Sequence, residues 1–264
     1  MSKFLFQDEK KISDSFLRNG YVIQDIHNNE SLQYIKKLVV KIIKKKISLN
    51  NKYEDDYILN NTHKYIKVRD LNNFRLSVIN EINLNNEFRV HYYKISRPYL
   101  DYIVGNELVM QIKINLSIQF PSDDSSLLAT HADTWSGDSP YEAVVWLPLV
   151  DCYKTKAMYL LSPKETNKVI NNFSKKNLTN SEKLYSHIKN KVKWMNIKYG
   201  QVLIFDQAMP HGNRVNNENE TRWSFNCRFK SLFSPYGDKK IGEFFQPISI
   251  KAITKKAMTF KFPK

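Results

Sequence analysis

The spacing of hydrophobic positions changes near residue 108. Before it, apolar residues recur at helical intervals. Leu32, Ile35, Leu38, Val39, Ile42 and Ile43 form one stripe, with Lys36, Lys37, Lys41, Lys44 and Lys45 turned away from it. A basic amphipathic helix of this kind either lies on a membrane surface or packs on a core with a wet outer face, and the packed helix is expected. Further helices are predicted near 74–82 and 88–103. After residue 108 the period becomes two: Ile112, Ile114, Leu116, Ile118 and Phe120 alternate with Gln111, Lys113, Asn115, Ser117 and Gln119.

The segment PSDD then turns the chain, and LLATHAD, EAVVWLPLV and AMYLL read as further strands. The middle one is apolar on both faces and is expected to be central. Residues 162–190, rich in Asn and Lys, read as a surface insertion with one or two helices. Strands resume at VKWMNIKYG, QVLIFDQ and RWSFNCRFKSLF. Helices followed by many short strands imply an α+β fold. The expected architecture is a double-stranded β-helix (jelly-roll, cupin-like) core with N-terminal helices packed on it. One domain spans 1–264: a mainly helical part at 1–107, the barrel at 108–232 and a C-terminal extension at 233–264.

Composition narrows the picture. Hydrophobic residues make up 42% of the 264, with only 7 Gly and 9 Pro, which excludes collagen-like, linker-like and wholly disordered chains. The formal net charge is +15. Its lysines are spread along the chain without an RNP, helix-turn-helix or zinc-finger pattern, so a solvated surface is expected rather than a nucleic-acid partner. Cys152 and Cys227 lie in apolar runs and read as small buried hydrophobes. MSKFLFQDEKK lacks the apolar core of a signal peptide, and no run approaches a membrane span. A soluble cytoplasmic protein without a membrane partner is expected.

Candidate chemistry centres on THADTWSGDSPYE. On an extended chain His131 and Asp133 point to the same side, so an imidazole and a carboxylate converge on one metal. Alone the signal is weak, since 6 His and 26 acidic residues in 264 give roughly 0.6 such pairs by chance. YGQVLIFDQAMPHGN supplies a turn at Gly200, a strand and then His211, completing a two-histidine, one-carboxylate facial set with open positions. Eleven residues on, Arg222 opens a strand whose Arg222, Ser224, Asn226 and Arg228 share one face. A buried arginine fork matches a carboxylate.

Together these segments resemble the phytanoyl-CoA hydroxylase-like branch of the iron(II)/2-oxoglutarate oxygenases. The residues carrying the resemblance are Gly20-Tyr21-Val22, His131-x-Asp133, Trp146-Leu147-Pro148-Leu149-Val150-Asp151, Gly200 through Gly212, and Arg222. The resemblance runs from about residue 15 to 232. QFPSDDSSLLATHADTWSGDSPYEAVVWLPLVDCYKTKAMYLL and DKKIGEFFQPISIKAI are similar to a subgroup encoded within sporadic carbohydrate-biosynthesis clusters. The chain departs from the broader pattern at Lys156-Ala157, at Ser162-Pro163-Lys164 and at Asn213.

The resemblance implies Fe(II) held by His131, Asp133 and His211, and 2-oxoglutarate bound through its far carboxylate by Arg222. Asn115, Asn213 and Arg228 are further co-substrate candidates, Arg228 being the rival clamp. The retained Asp133 implies hydroxylation or a related oxidation of a small, carbohydrate-derived substrate by dioxygen, with release of succinate and carbon dioxide. Lys113, Gln119, Trp135, Asp138 and Glu142 are candidate substrate contacts; His27, His63, His91 and His187 are read as structural or exposed. The alternatives are an oxygenase acting on a lipid or another small metabolite, and a basic binding protein on an inactive scaffold.

Overall fold

A computed structural model describes residues 2–49, 52–174, 178 and 180–263. Among them, the helices are α1 (Gln7–Asn19), α2 (Asn29–Lys46), α3 (Asp55–Asn60), α4 (Leu71–Asn83), α5 (Asn86–Lys94), α6 (Arg97–Ile103), α7 (Pro163–Asn172), α8 (Ser181–Ile188) and α9 (Ala252–Ala257). The strands are β1 (Tyr21–Asp25), β2 (Leu108–Gln111), β3 (Asn115–Gln119), β4 (Glu142–Pro148), β5 (Tyr159–Leu161), β6 (Val192–Trp194), β7 (Gln201–Asp206), β8 (His211–Gly212), β9 (Arg222–Ser231) and β10 (Phe245–Ser249). A large antiparallel sheet runs β1-β7-β4-β9-β2-β10, with β3 also paired to β9; a small sheet runs β6-β5-β8. This is the α+β, double-stranded β-helix arrangement expected, with fully buried β4 between β7 and β9.

Several elements differ from expectation. The run 111–120 is not one strand. Met110 faces Phe229 and Asn115 faces Asn226, so this chain takes five steps where β9 takes three. The surplus bulges at 112–114. LLATHAD is not a strand either: His131 makes an isolated bridge with His211, and a 3-10 turn starts at Asp133. The helix expected over 88–103 breaks into α5 and α6. Pro98 sits in the first turn of α6, where its missing N–H breaks no helical bond; within a continuous helix it would.

The largely helical first part also donates β1 to the large sheet. Gly20 ends α1 with φ 75, and its N–H bonds Phe16 O at 2.7 Å. The C-terminal extension donates β10, which pairs with β2. Helix α2 buries Leu32, Ile35, Val39, Ile42 and Ile43 as its stripe predicts. Lys36, expected on the wet face, is buried as well: its Nζ reaches Asp56 Oδ1 at 2.6 Å and lies over the Tyr199 ring.

The helices cover one face of the large sheet. Phe88 packs edge-on to Phe225 and Phe74 to Trp223, and Tyr92 donates to Val145 O at 2.9 Å. The other face, carrying Phe205, Val144, Trp146, Asn226 and Arg228, looks into the barrel cavity. Within the insertion, α7 and α8 close a second small core of Val169, Leu178, Leu184 and Ile188 on Leu161; residues 175–177 and 179 lie outside the described residues. No described helix is long and apolar enough to cross a membrane.

Candidate metal and co-substrate site

Backbone pairing brings the three candidate ligands together. His131 and His211 exchange reciprocal N–H to O bonds of 3.0 and 2.8 Å, and Asp133 N–H bonds Gln207 O at 3.0 Å. Ala132 is extended (φ −121, ψ 136), so His131 and Asp133 turn to one side. The ligand atoms of His131, Asp133 and His211 all lie within 4.8 Å of one another. His131 Nδ1 lies 2.8 Å from Ala129 O and His211 Nδ1 lies 2.9 Å from Met209 O. A carbonyl only accepts, so both rings carry a proton on Nδ1, and Nε2 is the nitrogen left for a metal once any proton that His131 shares with Asp133 is displaced. That tautomer suits a metal ligand.

Charge is arranged to match. Burial would raise the Asp133 carboxyl, but the His131 bond together with the His211 and Arg228 charges outweighs it and holds the carboxyl at about 2. Burial pushes His211 down to about 4, assisted by His131. Burial opposes protonation of His131 as well, yet its contact with Asp133 raises it overall. At neutral pH the set therefore offers a carboxylate beside a neutral His211 imidazole, which is the ligand state a divalent metal needs.

The two arginines of β9 take different positions. Arg228 Nη2 lies 2.9 Å from Asp133 Oδ2, and its Nε donates to Gln207 Oε1 at 3.0 Å. Gln207 in turn donates to Glu142 Oε2 and Ser139 O. Arg222 is 2% exposed; its Nη2 donates to Ser117 Oγ at 2.8 Å, while Nε and Nη1 have no partner. Burial lowers its pKa to about 10. A buried guanidinium with two unmet donors is costly unless an anion joins it. Both arginines and the triad border one cavity of about 690 Å³. The residues therefore fit a metal with a carboxylate-bearing co-ligand.

No protein-family model and no curated protein matches the chain. Solved structures do. The apo non-haem monooxygenase ThoJ superposes with a TM-score of 0.59 at 13% identity, over 91% of this chain and 84% of that one. HygX from Streptomyces hygroscopicus, with nickel and 2-oxoglutarate bound, gives 0.51 at 10% identity, over 88% and 89%. EctD from S. alaskensis, with bound Fe, gives 0.52 at 14% identity, over 88% and 82%. The fold is the double-stranded β-helix shared with these structures. At these identities the likeness is one of fold.

Within that fold the other candidates separate. Asn115 and Asn213 border the cavity. Asn115 donates to Asn226 Oδ1 at 2.9 Å, and Asn213 Oδ1 accepts from Leu128 N–H, pinning the segment before His131. The expected substrate contacts are not brought to the cavity wall. Lys113 is exposed, because the bulge turns it out of the β3 ladder. Gln119 is buried and donates to Arg214 O. Trp135, in the 3-10 turn, packs edge-on to Phe173 of the insertion. Asp138 and Glu142 are buried behind Arg228, Glu142 on Gln207 and Ser139. Glu220, two residues before Arg222, meets Lys156 Nζ at 2.7 Å.

Helix α4 is a cavity wall that the sequence reading passed over. Its Asn72, Arg75 and Ile79 border the cavity. Their i, i+3, i+7 spacing was visible, but nothing local said which element the helix would cover. His63 lies 2.9 Å from Thr221 and His91 stacks on Tyr34, both away from the triad.

Proposed function

We propose that this protein is an iron(II)- and 2-oxoglutarate-dependent oxygenase of the phytanoyl-CoA hydroxylase-like kind, acting on a small substrate of carbohydrate origin. The observation that carries the reading is the His131–Asp133–His211 cluster in one cavity with the buried, part-unpaired Arg222. His131 Nε2, His211 Nε2 and one Asp133 oxygen would hold the iron, and Arg222 the far carboxylate of 2-oxoglutarate. Bound iron with 2-oxoglutarate and dioxygen supplies the oxidising chemistry, at the expense of the co-substrate, which leaves as succinate and carbon dioxide.

The chain's own groups orient and shield. The Nδ1–H bonds hold both rings in the ligand tautomer. Arg228 takes Asp133 Oδ2 and leaves Oδ1 facing His131 Nε2, 3.3 Å away. Val144, Trp146, Met158 and Phe205 exclude water from one side of the cluster. Beyond the Asn115–Asn226 and Arg222–Ser117 bonds, Asn115, Ser117 and Asn226 keep further donor and acceptor capacity on the wall that a sugar's hydroxyls would use and an acyl chain would not. HygX with 2-oxoglutarate and EctD with Fe give the reading precedent on the same fold.

Anaerobic calorimetric titration of iron(II) into the wild type, His131→Ala and His211→Ala, followed by succinate assays, tests the site. Both substitutions are expected to abolish iron binding and succinate formation; unchanged affinity in both would refute it. For the substrate, nucleotide sugars, acidic sugars and acyl-CoAs are compared for stimulated succinate release. Stimulation by acyl-CoAs alone rejects the carbohydrate assignment.

A further inference from the structure

The charge lining the cavity is unbalanced. Its described wall carries four arginines, Arg69, Arg75, Arg222 and Arg228, against one acid, Asp133. Arg228 is taken by Asp133. Arg222 is assigned above to the co-substrate. Arg69 leans on Asp70 at 3.6 Å, with both side chains well exposed, so that pair is screened and weak. Arg75 faces a neutral partner: its Nη2 donates to Asn72 Oδ1 at 2.8 Å.

Arg75 sits on a built surface. Asn72, Arg75 and Ile79 form a stripe along α4 beside the buried stripe Leu71, Phe74, Val78 and Ile82. The buried stripe anchors the helix, with Phe74 edge-on to Trp223 of β9, so the cavity-side stripe is held at fixed distance from the sheet that carries Arg222. Asn72 orients the guanidinium by accepting one N–H, and other donors remain. Elsewhere on the cavity wall the segment 125–128 is held by Asn213 on Leu128 and by Asp123 on Ser125 and Ser126. The wall thus combines a cation, an amide and two serine residues.

We propose that Arg75, with Asn72 and Arg69, binds an anionic group of the substrate, a carboxylate or a phosphate, at the outer part of the cavity while the rest of the substrate reaches toward the metal cluster. The assignment rests on the oxygenase reading and narrows its substrate to an acidic or phosphorylated sugar. A guanidinium recognises either oxyanion through paired N–H bonds. Arg75 is half-buried and Asn72 exposed, so water solvates the guanidinium until a substrate displaces it; a neutral substrate would return no charge for that water in a cavity lined by four arginines and one acid.

The test uses the full chain preloaded anaerobically with iron(II) and 2-oxoglutarate, each loading measured by calorimetry. Glucose, glucose 1-phosphate and glucuronate are then titrated in, against wild type, Arg75→Gln and the remote control Arg97→Gln. At least one anionic probe is expected to bind wild type and Arg97→Gln at least tenfold more tightly than glucose does. Arg75→Gln is expected to lose about 10- to 100-fold of that affinity, the range of a hydrogen bond to a charged group, with iron and 2-oxoglutarate loading unaffected. Phosphate preference over carboxylate, or the reverse, identifies the group. The proposal is overturned if loaded wild type binds glucose as well as the anions, binds neither anion, or keeps its preference in Arg75→Gln. Failure at the loading step instead refutes the oxygenase reading itself.

Discussion

Arg228 Nη2 meets Asp133 Oδ2 at 2.9 Å, on the far side of the carboxylate from His131, whose Nε2 is 3.3 Å from Oδ1. One carboxylate thus presents one oxygen to the histidine cluster and gives the other to an arginine. Arg228 acts through Asp133 and is a positioning residue. Arg228→Gln is expected to reduce iron affinity by about 10- to 100-fold, the range typical when a ligand's supporting partner is lost. Calorimetry on the anaerobic protein reads this directly. An unchanged affinity would show that Asp133 needs no such support.

Arg222 predicts a different signature. Its fork is buried and half-unmet, and an ammonium cannot reproduce two parallel N–H bonds. Arg222→Lys is expected to weaken 2-oxoglutarate binding by at least tenfold while iron affinity stays near wild type. Arg228→Lys is expected to affect 2-oxoglutarate less. Titration of both co-ligands into both variants checks the pair, and a reversed order would exchange the roles of the two arginines.

Acid should destabilise the metal-free protein in a definite window. Burial lowers folded His211 to about 4, below an unfolded value of 6.5, so the unfolded chain binds the extra proton first. Stability is therefore lost as pH falls from 6.5 toward 4, by about 3 kcal/mol at most. His131 is raised, so its contribution is fully present below 6.5 and is lost only as pH rises through its folded value. The Asp133 contribution is present above 3.8 and is lost as pH falls toward 2. Denaturant unfolding with chelator present, from pH 7 to 4, should show the decline. His211→Gln should flatten it, and an equal decline in that variant would rule out His211 as its source.

Gly20 links the N-terminal part to the site. A Cβ there would overlap Met209 Sδ and crowd its Cε at 2.7 Å, and φ is 75. Gly20→Ala is expected to cost about 1–3 kcal/mol, roughly 3–10 °C in Tm for a chain of this size. Because Met209 O receives the His211 Nδ1 proton, iron affinity should fall in the same variant. A scan and an iron titration on one preparation separate the two effects.

The linear sequence determined what depends on neighbours in the chain. Period two along β9 put Arg222 and Arg228 on one face, helical spacing marked the buried stripe of α2, and an extended Ala132 lets His131 and Asp133 share a side. Those are consequences of backbone geometry repeating every two or 3.6 residues. What lies opposite a face depends on strand partners far away in sequence. Only the tertiary structure made β1 and β10 part of the large sheet, put Arg228 on Asp133 while leaving Arg222 part-unpaired, buried Lys36 and Lys156, and laid α4 along the cavity. It likewise carried Lys113, Gln119, Trp135, Asp138 and Glu142 away from the wall, because a two-residue surplus, a 3-10 turn and a buried polar network decide where those side chains go. Periodicity is local and travels with the sequence; the identity of the facing surface is set by long-range pairing, which no window of residues contains.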